Sequence, residues 1–315
     1  MKIYLGVVHT QDLGSSEPPR HHHKVDLRSE LTQAEISEYE EAERTLLTVR
    51  ANAELFHILV WNLEEFIRGI ASHLRAYATR NMDTGPPRLP HLDINRLALN
   101  CLSSMRTYLD HLETSIAKRH GAESANLKNF RQYCAEAYDS QFSYRFLYRL
   151  RNYAQHCGLP IGQITFSTRP SEQDASVPLH SLQIAVLRDR VLSEFDWGSL
   201  KEEVVAQQPT IDISYHMTET MGALELINSR VMEDELPSLV ESAERIHDLV
   251  GTIQFDEGEP CIFRFEKDIV SEDEPKKLNT ENLAFSRIPI DLALAVIRTG
   301  YDGILPSEES TRRDE

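Results

Sequence analysis

Cysteine is scarce in this chain. Its four cysteines, Cys101, Cys134, Cys157 and Cys261, lie far apart and form no CxxC pair. That spacing excludes a usual zinc knuckle and offers no disulfide framework, so buried free thiols are the expectation. Long hydrophobic runs are absent too. No apolar stretch approaches membrane-spanning length, and the segment Ile3 to Val8 after Met1 and Lys2 is too short for a signal peptide. The chain is therefore expected to be soluble and cytoplasmic, with no membrane partner. Also missing are a Gly-rich phosphate loop, HExxH, GxSxG and the kinase signature set. No metal site and no cofactor are expected. Finally, basic residues are outnumbered, 33 against 50 acidic, for a formal net charge of −17. Such a balance argues against wrapping duplex nucleic acid by bulk electrostatics.

What is present divides the chain in two. Its 315 residues suffice for one large domain or two modest ones. Residues 1–160 hold 19 basic and 19 acidic side chains, whereas 161–315 hold 14 and 31, so the whole excess of negative charge lies in the second half. Between Asp139 and Glu172 no acidic residue occurs, while Arg145, Arg149, Arg151 and Arg169 fall inside, interleaved with Phe142, Tyr144, Phe146, Tyr148 and Tyr153. A cationic, aromatic strip of this kind can hold a few phosphates even on an acidic protein. The alternative is an amphipathic helix whose aromatics pack inward and whose arginines are solvated.

Residues 2–8 read as a short strand, and Gly14 to Lys24 as a loop carrying His21, His22 and His23, with no further ligand spaced to complete a metal site. Thr32 and Glu35 form a capping box that opens a long helix. From Leu46 apolar residues step by three and four through Val49, Ala53, Phe56, Val60, Leu63, Ile67, Ile70, Leu74 and Tyr77, the seam of a helix bundle or coiled coil. From Gln33 to Thr79 such a helix would be roughly 70 Å long if unbroken, so a bend or an N-terminal extension is expected. A second helix is expected from about Asp93 to Gly121. A third spans Ser124 to Cys157, with a kink at Asp139-Ser140 and a left-handed cap at Gly158. Helix, turn, helix, turn, helix makes an antiparallel bundle.

After Pro160 strands are expected at Ile164–Phe166, Leu182–Leu187 and Cys261–Phe265. Helices are expected after a Ser199/Glu202 cap, from Ile213 past Pro237 to Ile253, and over Pro289–Arg298. Ser271–Asn279 reads as a charged loop. The fold class is thus mainly α, an antiparallel helical bundle followed by a smaller α+β region with a few short strands. The boundaries are 1–160 for the bundle with its N-terminal strand and loop, 161–305 for the acidic α+β region, and 306–315 for a disordered tail.

The third helix ends in Arg151-Asn152-Tyr153-Ala154-Gln155-His156. With 25 Arg and 13 His, Arg-x4-His is expected about once by chance. The chain holds it three times, at Arg68/His73, Arg106/His111 and Arg151/His156. Only the third has Asn in second place, which lowers the chance expectation to about 0.04. Arg68 is followed by Gly beside the seam and reads as structural; Arg106 is followed by Thr, and His111 reads as flanking the second helix.

The third pair resembles the Arg-polar-x-x-x-His signature of the HEPN superfamily, all-α domains of which many are metal-independent endoribonucleases in toxin, RNA-processing and phage-defence systems. The likeness covers about residues 30–160. It implies an all-α bundle that cleaves RNA, with Arg151, Asn152 and His156 as the catalytic residues, and two copies of the motif meeting across a homodimer.

The chemistry has a physical logic. RNA carries its own nucleophile, the 2′-hydroxyl, so cleavage needs a base, an acid for the leaving 5′-oxygen and a positive charge on the developing phosphorane. Histidine titrates near neutrality, and arginine holds two phosphate oxygens through its planar fork. Asparagine can orient the imidazole. On a straight helix Asn152 and His156 stand about 40° apart, but Arg151 and His156 about 140°, so one helix does not converge them. Arg145, Arg149, Tyr148 and Tyr153 are the expected RNA-binding flank. The acidic second half could compete with RNA for Arg149 and Arg151, and a toxin of this kind implies an antitoxin or regulatory protein as a further partner. The structural alternatives are a capping His156, an ion-paired Arg151 and a buried Asn152 contact. The rival reading is a non-catalytic helical interaction or RNA-binding protein that assembles through the bundle seam.

Overall fold

The capping box opens the first helix. In the computed structural model, which describes residues 2–12, 21–79, 89–172, 174, 176–253, 258–265 and 283–305, the Thr32 N–H donates to Glu35 Oε2 at 2.7 Å and the Glu35 N–H donates to Thr32 Oγ1 at 3.3 Å. Two first-turn donors are thereby satisfied reciprocally. β1 (Lys2–Asp12) and β2 (His21–Glu30) precede α1 (Gln33–Ala78), a single unbroken helix of 46 residues. Then follow α2 (Pro90–His120), α3 (Ala125–Ser140), α4 (Phe142–His156), β3 (Gln163–Pro170), β4 (Pro178–Leu187), α5 (Arg188–Glu194) and α6 (Lys201–Val205). β5 (Thr210–Asp212), α7 (Ile213–Gly251), β6 (Glu259–Phe265), β7 (Leu283–Arg287) and α8 (Ile290–Thr299) complete the described α-helices and strands, and a 3-10 turn, Gly300–Ile304, follows α8. The protein is mainly α, with a smaller α+β part and two small antiparallel sheets.

Two compact units emerge, Asn52–Asp234 and the pair of segments Met1–Ala51 and Glu235–Glu315. Neither boundary falls at residue 160, where the sequence changes texture, because α1 and α7 each contribute residues to both units.

The unit formed by the chain's two outer segments contains a sheet of order β2-β1-β6-β7. Val8, Cys261, Phe263 and Phe265 are buried together, with Tyr4, Val25 and Leu27 packed against them. Gly6 marks a register shift in the β1–β2 ladder, and a Cβ there would stand 2.4 Å from the Asp26 carbonyl oxygen. His21, His22 and His23 do not lie in a loop: they extend β2 and pair with Asp12, Gln11 and Thr10. β1 runs four residues beyond its apolar stretch, and backbone pairing continues to this end of the ladder.

The unit Asn52–Asp234 contains the bundle. Phe66, Ile94, Leu102, Phe146, Leu150 and Leu224 are buried in its core. α2 ends at Gly121 with φ 95°, and Ser124 caps α3 by accepting from the Leu127 N–H at 3.2 Å. The expected third helix is two helices. Gln141 adopts φ −124° and ψ 115°, an extended conformation that ends α3 and starts α4. Arg145 Nη1 donates to the Tyr138 and Asp139 carbonyls, satisfying acceptors that the break leaves open. Gly158 is not a left-handed cap, since among the described residues the positive-φ glycines are Gly121, Gly198, Gly258 and Gly300, and α4 closes on Cys157 in a right-handed conformation. Ser199 and Glu202 form no capping box; a 3-10 turn, Gly198–Leu200, leads into α6 without a side-chain cap. The second sheet, order β3-β4-β5, lies in this unit. The charged stretch 271–279 and the tail 306–315 lie outside the described residues.

Candidate functional site

Position on α4 decides what each motif residue can do. The helix FSYRFLYRLRNYAQH carries three arginines and no carboxylate. Phe146, Leu147, Leu150 and Tyr153 form its buried stripe. Arg151 and Asn152 sit half-buried at the edge of that stripe, and His156 is exposed as the last helical residue. Arg151 Nη1 reaches Asn152 Oδ1 at 3.4 Å, a long hydrogen bond, and its buried Nε has no partner.

The three Arg-x4-His pairs differ in the company they keep. Arg68 donates to Glu64 at 2.8 Å, and His73, 4 % exposed, is paired with Asp93 at 3.1 Å. Arg106 is paired with Asp110 at 2.8 Å and also donates to the Tyr148 hydroxyl, 4.9 Å above whose ring its guanidinium lies. These two arginines are neutralised on their own helices, as expected for structural roles. Among the described residues no carboxylate lies within ion-pair distance of Arg151, and the His156 ring makes no hydrogen bond. Neither the carbonyl cap nor the ion pair considered for them from sequence is present.

The four flanking residues are placed differently from the motif. Arg145 Nη2 donates to Glu203 at 2.7 Å, and its side chain is only 15 % exposed. Arg149 Nη2 donates to the Asp196 carbonyl at 2.7 Å, with its guanidinium 5.4 Å from the Phe195 ring centroid. Tyr148 accepts from Arg106, and Tyr153 is buried, donating to Glu194 at 2.5 Å. α4 thus uses Arg145, Arg149 and Tyr153 to hold the stretch from α5 to α6, while Tyr148 meets α2. That segment is anchored by Trp197, stacked on Phe146 at 5.5 Å and donating Nε1–H to the Val191 carbonyl at 2.9 Å. Competition from a carboxylate of the acidic half falls on Arg145 through Glu203, and not on Arg151.

No sequence pattern placed Arg190 here. A Cβ added at Gly158 would stand 3.1 Å from Arg190 Nη2 and 3.5 Å from Tyr153 Oη, so the Arg190 guanidinium lies against the chain two residues past His156. Its Nε is shared between the two oxygens of Glu194, each at 3.3 Å. In sequence Arg190 and Glu194 are only an i,i+4 pair on a short helix; the return of α5 to the end of α4 is tertiary.

Elsewhere in this unit the Ser143 hydroxyl and His216 Nδ1 are 2.8 Å apart and both side chains are buried. Burial holds the His216 imidazole below its ordinary pKa. The thiols of Cys101 and Cys134 are pushed up to about 12 by burial, which makes them poor nucleophiles. Among the described residues no three His, Cys, Asp or Glu side chains cluster as metal ligands would, and no helix is long and apolar enough to cross a membrane. No family profile matches this chain, and neither a curated protein nor a solved structure does.

Proposed function

We propose that this protein is a metal-independent, HEPN-like endoribonuclease that cleaves single-stranded RNA, acting as a toxin or phage-defence effector. One observation carries the reading: of three Arg-x4-His pairs, only Arg151/His156 leaves its guanidinium without a carboxylate and its imidazole exposed. In the reaction the 2′-hydroxyl loses its proton to a base and its oxygen bonds to phosphorus. The P–O5′ bond breaks and the leaving oxygen takes a proton, giving a 2′,3′-cyclic phosphate and a 5′-hydroxyl. His156 transfers a proton, Arg151 stabilises charge on the phosphorane, and Asn152 orients its neighbours. The angular separation of Arg151 and His156 is met by a homodimer, in which a second copy brings the complementary set.

Expression tests the reading. Wild type should arrest growth and His156→Ala, equally soluble, should not; equal growth from both strains turns the balance to the alternative.

That alternative, a non-catalytic protein assembling through the α1 seam, is favoured by one feature. The seam is fully buried at Leu46, Val49 and Ala53, but from Phe56 onward it is only partly covered, and Ile67 is 51 % exposed. A seam left open on one side is what a helical partner would cover.

A further inference from the structure

We propose that Arg190 is a second phosphate-binding arginine of the site, holding the RNA phosphate next to the scissile one; the inference rests on the ribonuclease reading. Three features support it. The guanidinium lies against Gly158, two residues past His156, at a position where any side chain on residue 158 would meet it. Only its Nε is engaged: Nη1 and Nη2 make no hydrogen bond among the described residues, and the side chain is 36 % exposed. The fork of outward N–H donors that binds phosphate is thus open to an incoming anion.

The orientation is built, not incidental. Glu194 takes the 2.5 Å bond from the buried Tyr153 hydroxyl, which fixes the carboxylate on the motif helix. From there Glu194 reaches only the Nε edge of Arg190, at 3.3 Å for each oxygen. Tyr153 directly follows Asn152, so the same turn of α4 that carries the motif also positions Arg190 through Glu194. Arg145, by contrast, spends both Nη groups on protein acceptors, and Arg149 spends its Nη2 on the Asp196 carbonyl. Arg190 keeps both of its Nη groups unengaged among the described residues.

The test measures binding separately from cleavage. His156→Ala protein, full length, is titrated with a fluorescein-labelled single-stranded oligoribonucleotide of random sequence over a range of salt concentrations. Adding Arg190→Gln should weaken binding several-fold and reduce the slope of log affinity against log salt by about 0.7, the loss of one single-strand phosphate contact. Arg190→Lys should restore most of that slope. RNA binding that Arg190→Gln leaves unchanged, or a loss that Arg190→Lys reproduces in full, overturns the role of Arg190 while the ribonuclease reading stands. No RNA binding by the His156→Ala protein at any salt overturns that reading, and this inference with it.

Discussion

Tyr153 donates its hydroxyl proton to Glu194 at 2.5 Å, tying the buried stripe of the motif helix to an exposed carboxylate on α5. This bond, and then Arg190, hold the Glu194 carboxyl below its ordinary value, while burial and Glu194 push the Tyr153 hydroxyl up to about 12. A depressed carboxyl stabilises the fold above its unfolded pKa, and that contribution is lost as pH falls through the folded one. Tyr153→Phe should bring the Glu194 titration back toward 4.5, as read by NMR of the side-chain carboxyl, with the ring still packed. An unmoved Glu194 titration would show that the bond does not set it.

Arg149 and Arg151 stand two residues apart and should fail in different ways. Arg149→Ala removes the donor to the Asp196 carbonyl and the cation near Phe195, and should cost about 1–3 kcal/mol in urea unfolding. Arg151→Gln loses no ion pair and should leave the unfolding midpoint close to wild type while abolishing RNA cleavage. Equal destabilisation by both would assign Arg151 a structural role.

The buried Ser143–His216 contact predicts a pH dependence. The folded imidazole is held below its unfolded value of 6.5, first by burial, with Asp212 opposing. Above about pH 6.5 the ring is neutral in both states and no penalty applies; below it the unfolded chain binds the proton and stability falls. Urea midpoints at pH 7.5 and 5.5 should therefore differ more for wild type than for His216→Asn, whose amide can still meet Ser143. Identical pH slopes would remove His216 from the account.

Trp197 packs between Phe146 and Phe195, at 5.5 Å from each ring, and is 1 % exposed. Trp197→Ala should cost about 3–5 kcal/mol through the cavity it leaves. It should also free Arg149, since Asp196, whose carbonyl Arg149 meets, directly precedes Trp197. Denaturant unfolding checks the first expectation.

Helices were legible in the sequence because their signals are local. The Thr32/Glu35 box and the apolar steps from Leu46 each act within a few residues, and α1 follows from them. The break at Gln141 was not legible as two helices, since Arg145 supports it from the next turn of chain. β5 has three residues, too few for alternation, and β2 begins in a run of three histidines that carries no strand pattern. At the site, the motif could be read from residue types and spacing. What the spacing could not convey is which cations are already occupied. Arg145 and Arg149 meet acceptors 58 and 47 residues away, and Arg190 returns to Gly158 from another helix.

The most direct test of the central claim incubates purified protein with mixed RNA in EDTA and identifies the fragment ends. Wild type should leave 2′,3′-cyclic phosphate ends, and His156→Ala or Arg151→Gln none. Intact RNA with the wild-type protein, or the same fragments from the His156→Ala variant, would contradict it.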